Sequence, residues 1–311
     1  MRTRAAAALF VATAALAAGL LTGCTPSAAE SELQVPTPVD LCAAAAPAGP
    51  ASDAVAVAGE VGSPATVTLA SPLSITGTER TVVVEGDGPE VDASSLVSYA
   101  MTVYDPATGA AVQSQGYDDA ATLPVPAASL GQYIGCAPVG SRVVVTVPAS
   151  DADAASVRVF DVLDTRPGVA TGEQQSPVDG MPSVELSDGG APTVTIPGAE
   201  PPAETRIAVL KKGDGDRIEP GDTVMLHYSG VRWSDGTVFD SSWAQGAPTV
   251  LTTSNVIDGY REALEGQTVG SQVLAVIPPG AAYGEGSINE DDLVGETLVF
   301  VIDILATTPA P

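Results

Sequence analysis

The feature that most constrains the fold of this chain is an ordered series of segments that occurs twice, about 127 residues apart. The matching pairs are 66–69 with 193–196, 86–88 with 213–215, 96–109 with 223–236, and 139–143 with 269–273. A repeat longer than about 100 residues indicates duplicated domains rather than a solenoid. We therefore predict two domains of the same fold, at 54–166 and 184–308, joined by a linker at 167–183.

The composition favours short strands and turns. The chain has 32 Gly and 26 Pro, which disfavour long helices, and its Val and Thr residues recur in short alternating runs. Such runs are typical of half-buried strands, so we predict a mostly β protein of the α+β class.

The charge excludes one class of partner. With 38 acidic against 12 basic residues, the formal net charge is −26, and the basic residues form no cluster. A chain of this charge repels phosphate backbones, so we predict no nucleic-acid binding. The acidity suits an extracytoplasmic protein that stays soluble, and we expect a monomer.

The N-terminus has the pattern of an export signal. A basic start is followed by an apolar run at 5–21 and then by Leu-Thr-Gly-Cys, which resembles a bacterial lipobox. The resemblance implies a signal peptide at 1–23, lipidation of Cys24, and attachment to the outer face of the cell membrane. A retained transmembrane helix is the alternative. Residues 24–53, rich in Ala, Pro, Ser and Glu, are predicted to be a flexible tether.

The two other cysteines are Cys42 and Cys136. Export would place them in an oxidising compartment, where we expect a disulfide between them. Two unrelated buried thiols are the alternative.

The two copies differ where a binding site would need side chains. Under the 127-residue offset, Tyr228, Phe239 and Asp240 align with Met101, Val112 and Gln113. The second copy also has a longer segment before its last strand. These differences predict a pocket in the second copy and a structural or protein-contacting role for the first.

Seven motifs of the second copy occur in the order of a known family. They are Gly-Asp-Gly at 213–215, Val-x-x-His-Tyr-Ser-Gly at 224–230, Asp-Gly-Thr-Val-Phe-Asp-Ser-Ser at 235–242, Val-Ile-Asp-Gly-Tyr at 256–260, Val-Gly-Ser at 269–271, Pro-Pro-x-x-Ala-Tyr-Gly at 278–284 and Thr-Leu-Val-Phe at 297–300. The second copy resembles the FKBP-type peptidyl-prolyl isomerases, the macrolide-binding immunophilins. The first copy would be a degenerate member of the same fold, in which an antiparallel β-sheet wraps over one short helix.

The resemblance implies the site residues. The catalytic positions are Tyr228, Asp240 and Tyr283, and the substrate-binding positions are Phe239, Val256, Ile257, Tyr260, Phe300 and Leu293. Tyr260 stands where the family usually has Trp, and its hydroxyl needs a hydrogen-bond partner. Val250 and Leu251 stand where the family usually has Phe.

The implied function is peptidyl-prolyl cis-trans isomerisation that assists the folding of exported proteins. Its partners would be proline-containing segments of those proteins and macrolide ligands, with no metal and no cofactor. The alternative is a catalytically weak peptide- or protein-binding envelope lipoprotein. His227, next to Tyr228 on a strand, is predicted to face away from the pocket. Asp214, Asp235 and Asp303 are predicted to be solvated.

Overall fold

The computed structural model describes residues 39–118, 122–289 and 292–310. The predicted signal peptide, Cys24 and most of the predicted tether lie outside these residues. Among the described helices, none is long and apolar enough to cross a membrane. The described chain consists mainly of antiparallel sheets with few helices, so the prediction of a mostly β fold is confirmed.

The described part of the N-terminal half contains eight strands and three short helices. They are α1 (Leu41–Ala44), α2 (Pro50–Asp53), β1 (Ala56–Ala58), β2 (Thr66–Thr68), β3 (Glu79–Val84), β4 (Ser95–Tyr104), β5 (Ala111–Gln115), β6 (Val125–Pro126), α3 (Ala127–Ile134), β7 (Arg142–Val147) and β8 (Ser156–Pro167). Its sheet has the antiparallel order β3-β7-β8-β4-β5, with β6 also paired to β4, and β1 and β2 form a separate hairpin.

Within the described residues, the C-terminal half contains nine strands and two α-helices. They are β9 (Glu173–Gln174), β10 (Ser183–Leu186), β11 (Pro192–Thr195), β12 (Arg206–Lys212), β13 (Thr223–Arg232), β14 (Val238–Ser241), α4 (Ser242–Gln245), β15 (Thr249–Thr252), α5 (Asp258–Leu264), β16 (Gln272–Ile277) and β17 (Leu298–Thr308). The sheet order is β14-β13-β17-β16-β12-β9, with β15 also paired to β13, and β10 and β11 form a hairpin.

Apart from β9, which has no counterpart in the described part of the first sheet, the two sheets have the same topology, and their irregularities coincide. Three register shifts of the first sheet recur 127 residues later in the second: Val82/Val84 with Val209/Lys211, Ser98/Tyr99 with Met225/Leu226, and Val103/Tyr104 with Gly230/Val231. Bulges of this kind are retained features of related folds. The repeat in the sequence therefore corresponds to a repeat in the backbone.

Each sheet is covered on both faces. In the second half, α5 packs on one face, where Leu264 contacts the core around Ile302, and the β10–β11 hairpin packs on the other through Val184 and Val194. In the first half, α3 and the β1–β2 hairpin take the same two positions. The central strands are thus buried on both sides, β17 over 298–306 and β8 over most of 156–162.

The Gly-Asp-Gly and Val-Gly-Ser motifs meet in space. The Gly213 N–H donates to the Ser271 Oγ at 2.9 Å. A Cβ added at Gly213 would lie 2.2 Å from the Val269 carbonyl oxygen, so the close approach requires glycine. Gly86 and Ser141 make the equivalent contact in the first half, at 3.0 Å.

The two halves pack against each other. Leu96 and Leu123 of the first half contact Met225, Leu305 and Ala306 of the second. The segment predicted to be a linker takes part in the second sheet, because β9 pairs with the end of β12. Because of this pairing, the segment 167–183 is in part a component of the second sheet and not a free linker.

The prediction that Asp303 is solvated is wrong. Its carboxylate is buried on β17 and accepts hydrogen bonds from the Ala170 N–H at 2.8 Å and the Gln272 Nε2 at 2.7 Å. Burial raises the pKa of Asp303, against the effect of these hydrogen bonds. The residue is covered because the connection between the halves passes over its face of the sheet.

The end of the predicted tether is part of the fold. Leu41, Ala51 and Ser52 are buried, and α1 packs on α3. A disulfide joins Cys42 to Cys136, the two cysteines for which the sequence predicts a bond. A free tether would therefore end before residue 41.

Replacing Cys136 with serine is expected to lower the free energy of unfolding by about 2–4 kcal/mol, because the bond closes a loop between residues 94 positions apart. Urea denaturation followed by circular dichroism measures this loss. Cys42→Ser should have the same effect, and the double variant should lose no more than either single variant. Additive losses would contradict the assignment of the effect to the bond.

Candidate functional site

A pocket of about 360 Å³ opens between α5 and the β13–β14 side of the second sheet. Its lining residues are Tyr228, Phe239, Asp240, Thr249, Leu251, Asn255, Val256, Ile257, Tyr260, Tyr283 and Phe300. Eight of the nine pocket positions implied by the sequence motifs are therefore together in space. The ninth, Leu293, packs against the neighbouring hydrophobic core but does not line the pocket.

Aromatic rings form the apolar part of the pocket. Phe300 on β17 makes edge-to-face contacts with Phe239, at 5.6 Å between ring centroids, and with Tyr260, at 4.9 Å. The Tyr228 ring is tilted against Phe300 at 6.4 Å. Phe300 thus lies at the centre of the cluster and fixes the positions of the other rings.

Two glycines make this arrangement possible. Gly230 on β13 pairs with both Asp240 and Phe300, and a Cβ there would lie 2.5 Å from the Phe239 ring. Phe239 can therefore cross the strand only over a glycine. A Cβ at Gly259 would lie 2.4 Å from the Ile277 Cγ2, so α5 needs glycine to approach β16.

Asp240 is the acid of the pocket. One carboxylate oxygen accepts a hydrogen bond from the Tyr228 hydroxyl, and the other accepts one from the Gln245 Nε2 at 3.0 Å. Burial first, and then the bond to Asp240, raise the pKa of Tyr228. Tyr228 therefore stays protonated and donates to a carboxylate that is held from both sides.

Two further polar groups border the pocket. Ile257 precedes the first residue of α5, and among the described residues its N–H has no acceptor. Tyr283 follows the 3₁₀ turn Pro279–Ala281, and 53% of its surface is exposed. A backbone donor and an exposed hydroxyl thus border the mouth of the pocket, where a ligand carbonyl could meet them.

The Tyr260 hydroxyl is buried and lacks a hydrogen-bond partner in the described part of the chain. Its burial raises the pKa of Tyr260 well above the ordinary value. The expectation that this hydroxyl needs a partner is therefore not met. A buried polar atom without a partner costs free energy.

Replacing Tyr260 with phenylalanine is expected to raise the free energy of unfolding by about 1 kcal/mol, because it removes the unpartnered oxygen and keeps the ring. Thermal and urea unfolding measure the gain. Tyr228→Phe is the matched control, since it removes a hydroxyl that is bonded to Asp240 and should lower stability instead. A loss of stability in Tyr260→Phe would contradict the argument.

His227 faces away from the pocket. Its ring stacks on Trp243 at 3.9 Å between centroids, and its Nδ1 lies 2.8 Å from the Ser242 Oγ. Burial lowers the pKa of His227 to about 4, so it is neutral at neutral pH. These contacts fit a structural residue.

Three pocket contacts were not predicted from the sequence. Thr249 lies two residues before Leu251 on β15, so both side chains are on the pocket face of the strand, whereas Val250 points outward with 49% of its surface exposed. The two-residue period of a strand could therefore have predicted Thr249 as a pocket residue. Asn255 and Gln245 lie in a 3₁₀ turn and a one-turn helix, whose direction no sequence period indicates. Among the described residues, no group of His, Cys, Asp or Glu side chains converges as a metal site.

Comparison with known proteins gives consistent matches. The family described as FKBP-type peptidyl-prolyl cis-trans isomerase matches residues 215–305, the stretch that holds the pocket. The FK506-binding protein of Streptomyces anulatus is 40% identical over 118 residues, which are 37% of this chain and 95% of that protein. The probable FK506-binding protein of Corynebacterium glutamicum is 38% identical over 116 residues, 37% of this chain and 97% of that protein. The FKBP-type peptidyl-prolyl cis-trans isomerase FkpA of Escherichia coli strain K12 is 35% identical over 103 residues, 33% of this chain and 37% of that protein.

Proposed function

This chain belongs to the family of FKBP-type peptidyl-prolyl cis-trans isomerases, and from that membership we propose that it isomerises X–Pro bonds in exported polypeptides at the cell envelope. The observation that carries the proposal is the convergence of Tyr228, Asp240, Tyr283 and an aromatic cluster around Phe300 on one pocket. The family match supports the isomerase activity, and the export signal pattern at 1–23 supports the location.

The pocket suits a reaction that needs no nucleophile. Rotation of an X–Pro bond is slow because the planar amide is stabilised by roughly 18–20 kcal/mol relative to the twisted form. Water solvates the planar, more polar amide better than the twisted one. Phe239, Tyr260 and Phe300 exclude water from the bond and so favour the twisted transition state.

The polar groups orient the substrate. In this proposal the Ile257 N–H and the Tyr283 hydroxyl donate to carbonyl oxygens that flank the proline. Asp240, held by Tyr228 and Gln245, presents its carboxylate near the carbonyl that rotates. Leu293 acts indirectly, through its packing on the core beside Phe300.

The remainder of the chain positions the enzyme domain. We interpret the first half as a degenerate FKBP-like domain, because it has the topology of the second half but Met101, Val112 and Gln113 in place of the pocket residues. Lipidation of Cys24 would hold a monomer on the extracytoplasmic face of the membrane. Macrolides are a second ligand class, and we expect weaker binding than in relatives with a Phe at the position of Leu251, which lines the pocket.

The activity is tested by exchange NMR on the peptide Ala-Leu-Pro-Phe with and without the purified protein. We expect cis–trans exchange to accelerate in proportion to protein concentration. If a folded protein broadens the peptide signals without accelerating exchange, the pocket binds without catalysis, and the alternative of a peptide-binding lipoprotein replaces the proposal. Because its buried hydroxyl has no partner, Tyr260 would then be the first residue to replace, with tryptophan.

A further inference from the structure

The strand β3 forms one edge of the first sheet, and the chain itself covers the first half of that edge. The Arg80 N–H donates outward to the Pro47 carbonyl at 2.9 Å. The Glu79 carboxylate accepts from the N–H groups of Ala51 and Ser52, at 2.7 and 3.0 Å. The segment before β1 therefore occupies this part of the edge.

The second half of β3 is uncovered. Val82, Val83 and Val84 each expose between 37% and 41% of their surface, and the described residues contribute no strand on their outer side. Backbone N–H groups of an antiparallel strand alternate in direction, and this alternation holds as far as the register shift that follows Val82, so the Val82 N–H faces outward as the Arg80 N–H does. An apolar edge with unpaired backbone groups is a template for another strand. We call Val82–Glu85 the β3 edge.

The second half of the molecule has the corresponding edge occupied. There β9 pairs antiparallel with the end of β12, Gln174 opposite Lys211 and Glu173 opposite Lys212. The Gln175 N–H also donates to the Leu210 carbonyl at 2.8 Å. Under the 127-residue offset, Leu210 and Lys211 correspond to Val83 and Val84 of the β3 edge. The pairing of β9 with β12 thus shows that an extended segment fits the edge that corresponds to the β3 edge.

The charge around the β3 edge indicates what such a segment carries. Glu85, Asp87 and Glu90 are exposed beside it. The nearby base, Arg80, points inward and donates to the carbonyls of Tyr133 and Ile134, at 3.0 and 2.7 Å. A second copy of the chain would bring the same acids and a net charge of −26 to the contact. Charge complementarity favours a cationic partner.

We propose that the β3 edge binds an extended, cationic segment of another polypeptide as an added antiparallel strand. This mode of binding draws its affinity from main-chain hydrogen bonds and its preference from the flanking charges. An unfolded exported chain with Lys or Arg beside apolar residues has this chemistry. The site is separate from the pocket at Tyr228 and does not depend on its activity.

The test uses a short fluorescein-labelled peptide in which Val alternates with Lys and Thr and which contains no Pro. Fluorescence anisotropy should detect saturable binding to the purified chain. Val82→Pro removes the outward N–H without removing a ladder bond to β7, and proline is tolerated in this setting on an edge strand. We expect about a tenfold loss of affinity in Val82→Pro, which corresponds to one hydrogen bond.

Val82→Thr is the matched control, because it keeps the N–H and the β-branched shape, and its affinity should equal that of the parent. Both variants should isomerise Ala-Leu-Pro-Phe at the parent rate, which separates this site from the pocket. A peptide with Glu in place of Lys should bind more weakly. The proposal is overturned if the parent does not bind, if Val82→Pro binds as well as Val82→Thr, or if the Glu peptide binds equally.

Two measurements cover the remaining outcomes. If Val82→Pro does not fold, amide hydrogen exchange of the parent replaces it, and peptide addition should protect Val82 but not β5 at the opposite edge. Protection at β5 instead would overturn the assignment. Sedimentation without peptide should give a monomer, and a dimer that Val82→Pro disrupts would show that a second copy is the occupant.

Discussion

Replacing Asp240 with valine is expected to lower kcat/KM for the isomerisation of Ala-Leu-Pro-Phe by about 100-fold, the size of effect found when one preorganised electrostatic group is removed. The substitution removes the carboxylate and leaves the Tyr228 hydroxyl and the Gln245 amide without their acceptor. The aromatic cluster around Phe300 should remain, so binding of a proline peptide should fall much less than turnover.

Asp240→Asn separates charge from shape. The amide keeps an oxygen that can accept from Tyr228, but it has no charge near the substrate carbonyl. If the carboxylate acts electrostatically, Asp240→Asn should lose nearly as much activity as Asp240→Val. If it only holds Tyr228 in place, Asp240→Asn should keep most of the activity.

Asp235→Asn is the control for removal of a charge elsewhere. Asp235 lies in the exposed turn before β14 and bonds only to Thr237 among the described residues. This variant should keep the parent rate. A folded Asp240→Val with a rate close to that of Asp235→Asn would contradict the proposed role of Asp240.

The pocket could be predicted largely because its residues belong to short motifs with glycines at fixed places. Gly230 and Gly259 are required by close contacts with Phe239 and Ile277. The same close packing that forms the pocket therefore fixes the glycines by which the motifs are recognised. Leu293 was predicted to line the pocket, but it lies in an irregular segment whose side-chain directions follow no period. Local pattern therefore predicts strands and turns better than it predicts loops.

Contacts between distant segments could not be predicted. From the sequence, Asp303 is expected to lie on the solvent-exposed face of a strand. It is buried because the chain segment at Ala170 crosses that face and donates a hydrogen bond to its carboxylate. Leu41 and Ala51 occur in a segment of tether-like composition, and their burial depends on α3 and β3. In both cases the composition is compatible with either state, and packing with a remote segment decides between them.

The two copies also differ in how each holds its buried acid. In the first half, Arg142 makes a two-point ion pair with Asp161, with both distances 2.6 Å, and both side chains are almost fully buried. The Arg142 guanidinium also donates to the carbonyls of Gly59, Glu60 and Ser63 and so holds the β1–β2 turn on the sheet. In the second half, Gln272 takes the place of Arg142 and donates to Asp303 at 2.7 Å.

Arg142→Met is therefore expected to lower the free energy of unfolding by about 3–5 kcal/mol, because it leaves the Asp161 carboxylate buried without its cation. Arg142→Gln, which copies the arrangement of the second half, should cost less. Arg142→Met combined with Asp161→Leu should recover much of the loss, since removing both charges avoids the unpaired one. Circular dichroism in urea measures all three variants.

The positions of the two tryptophans allow the loss of stability in Arg142→Met to be assigned to one half of the molecule. Trp233 and Trp243 both lie in the second half, so tryptophan fluorescence follows that half while circular dichroism follows both. If the ion pair stabilises the first half, Arg142→Met should shift the circular dichroism transition to lower urea than the fluorescence transition. Coincident shifts would mean that the contacts of Leu96 and Leu123 with Met225 and Leu305 make the halves unfold together. A loss below about 1 kcal/mol in the circular dichroism transition would contradict the ion-pair argument, because an unpaired buried carboxylate costs more than that.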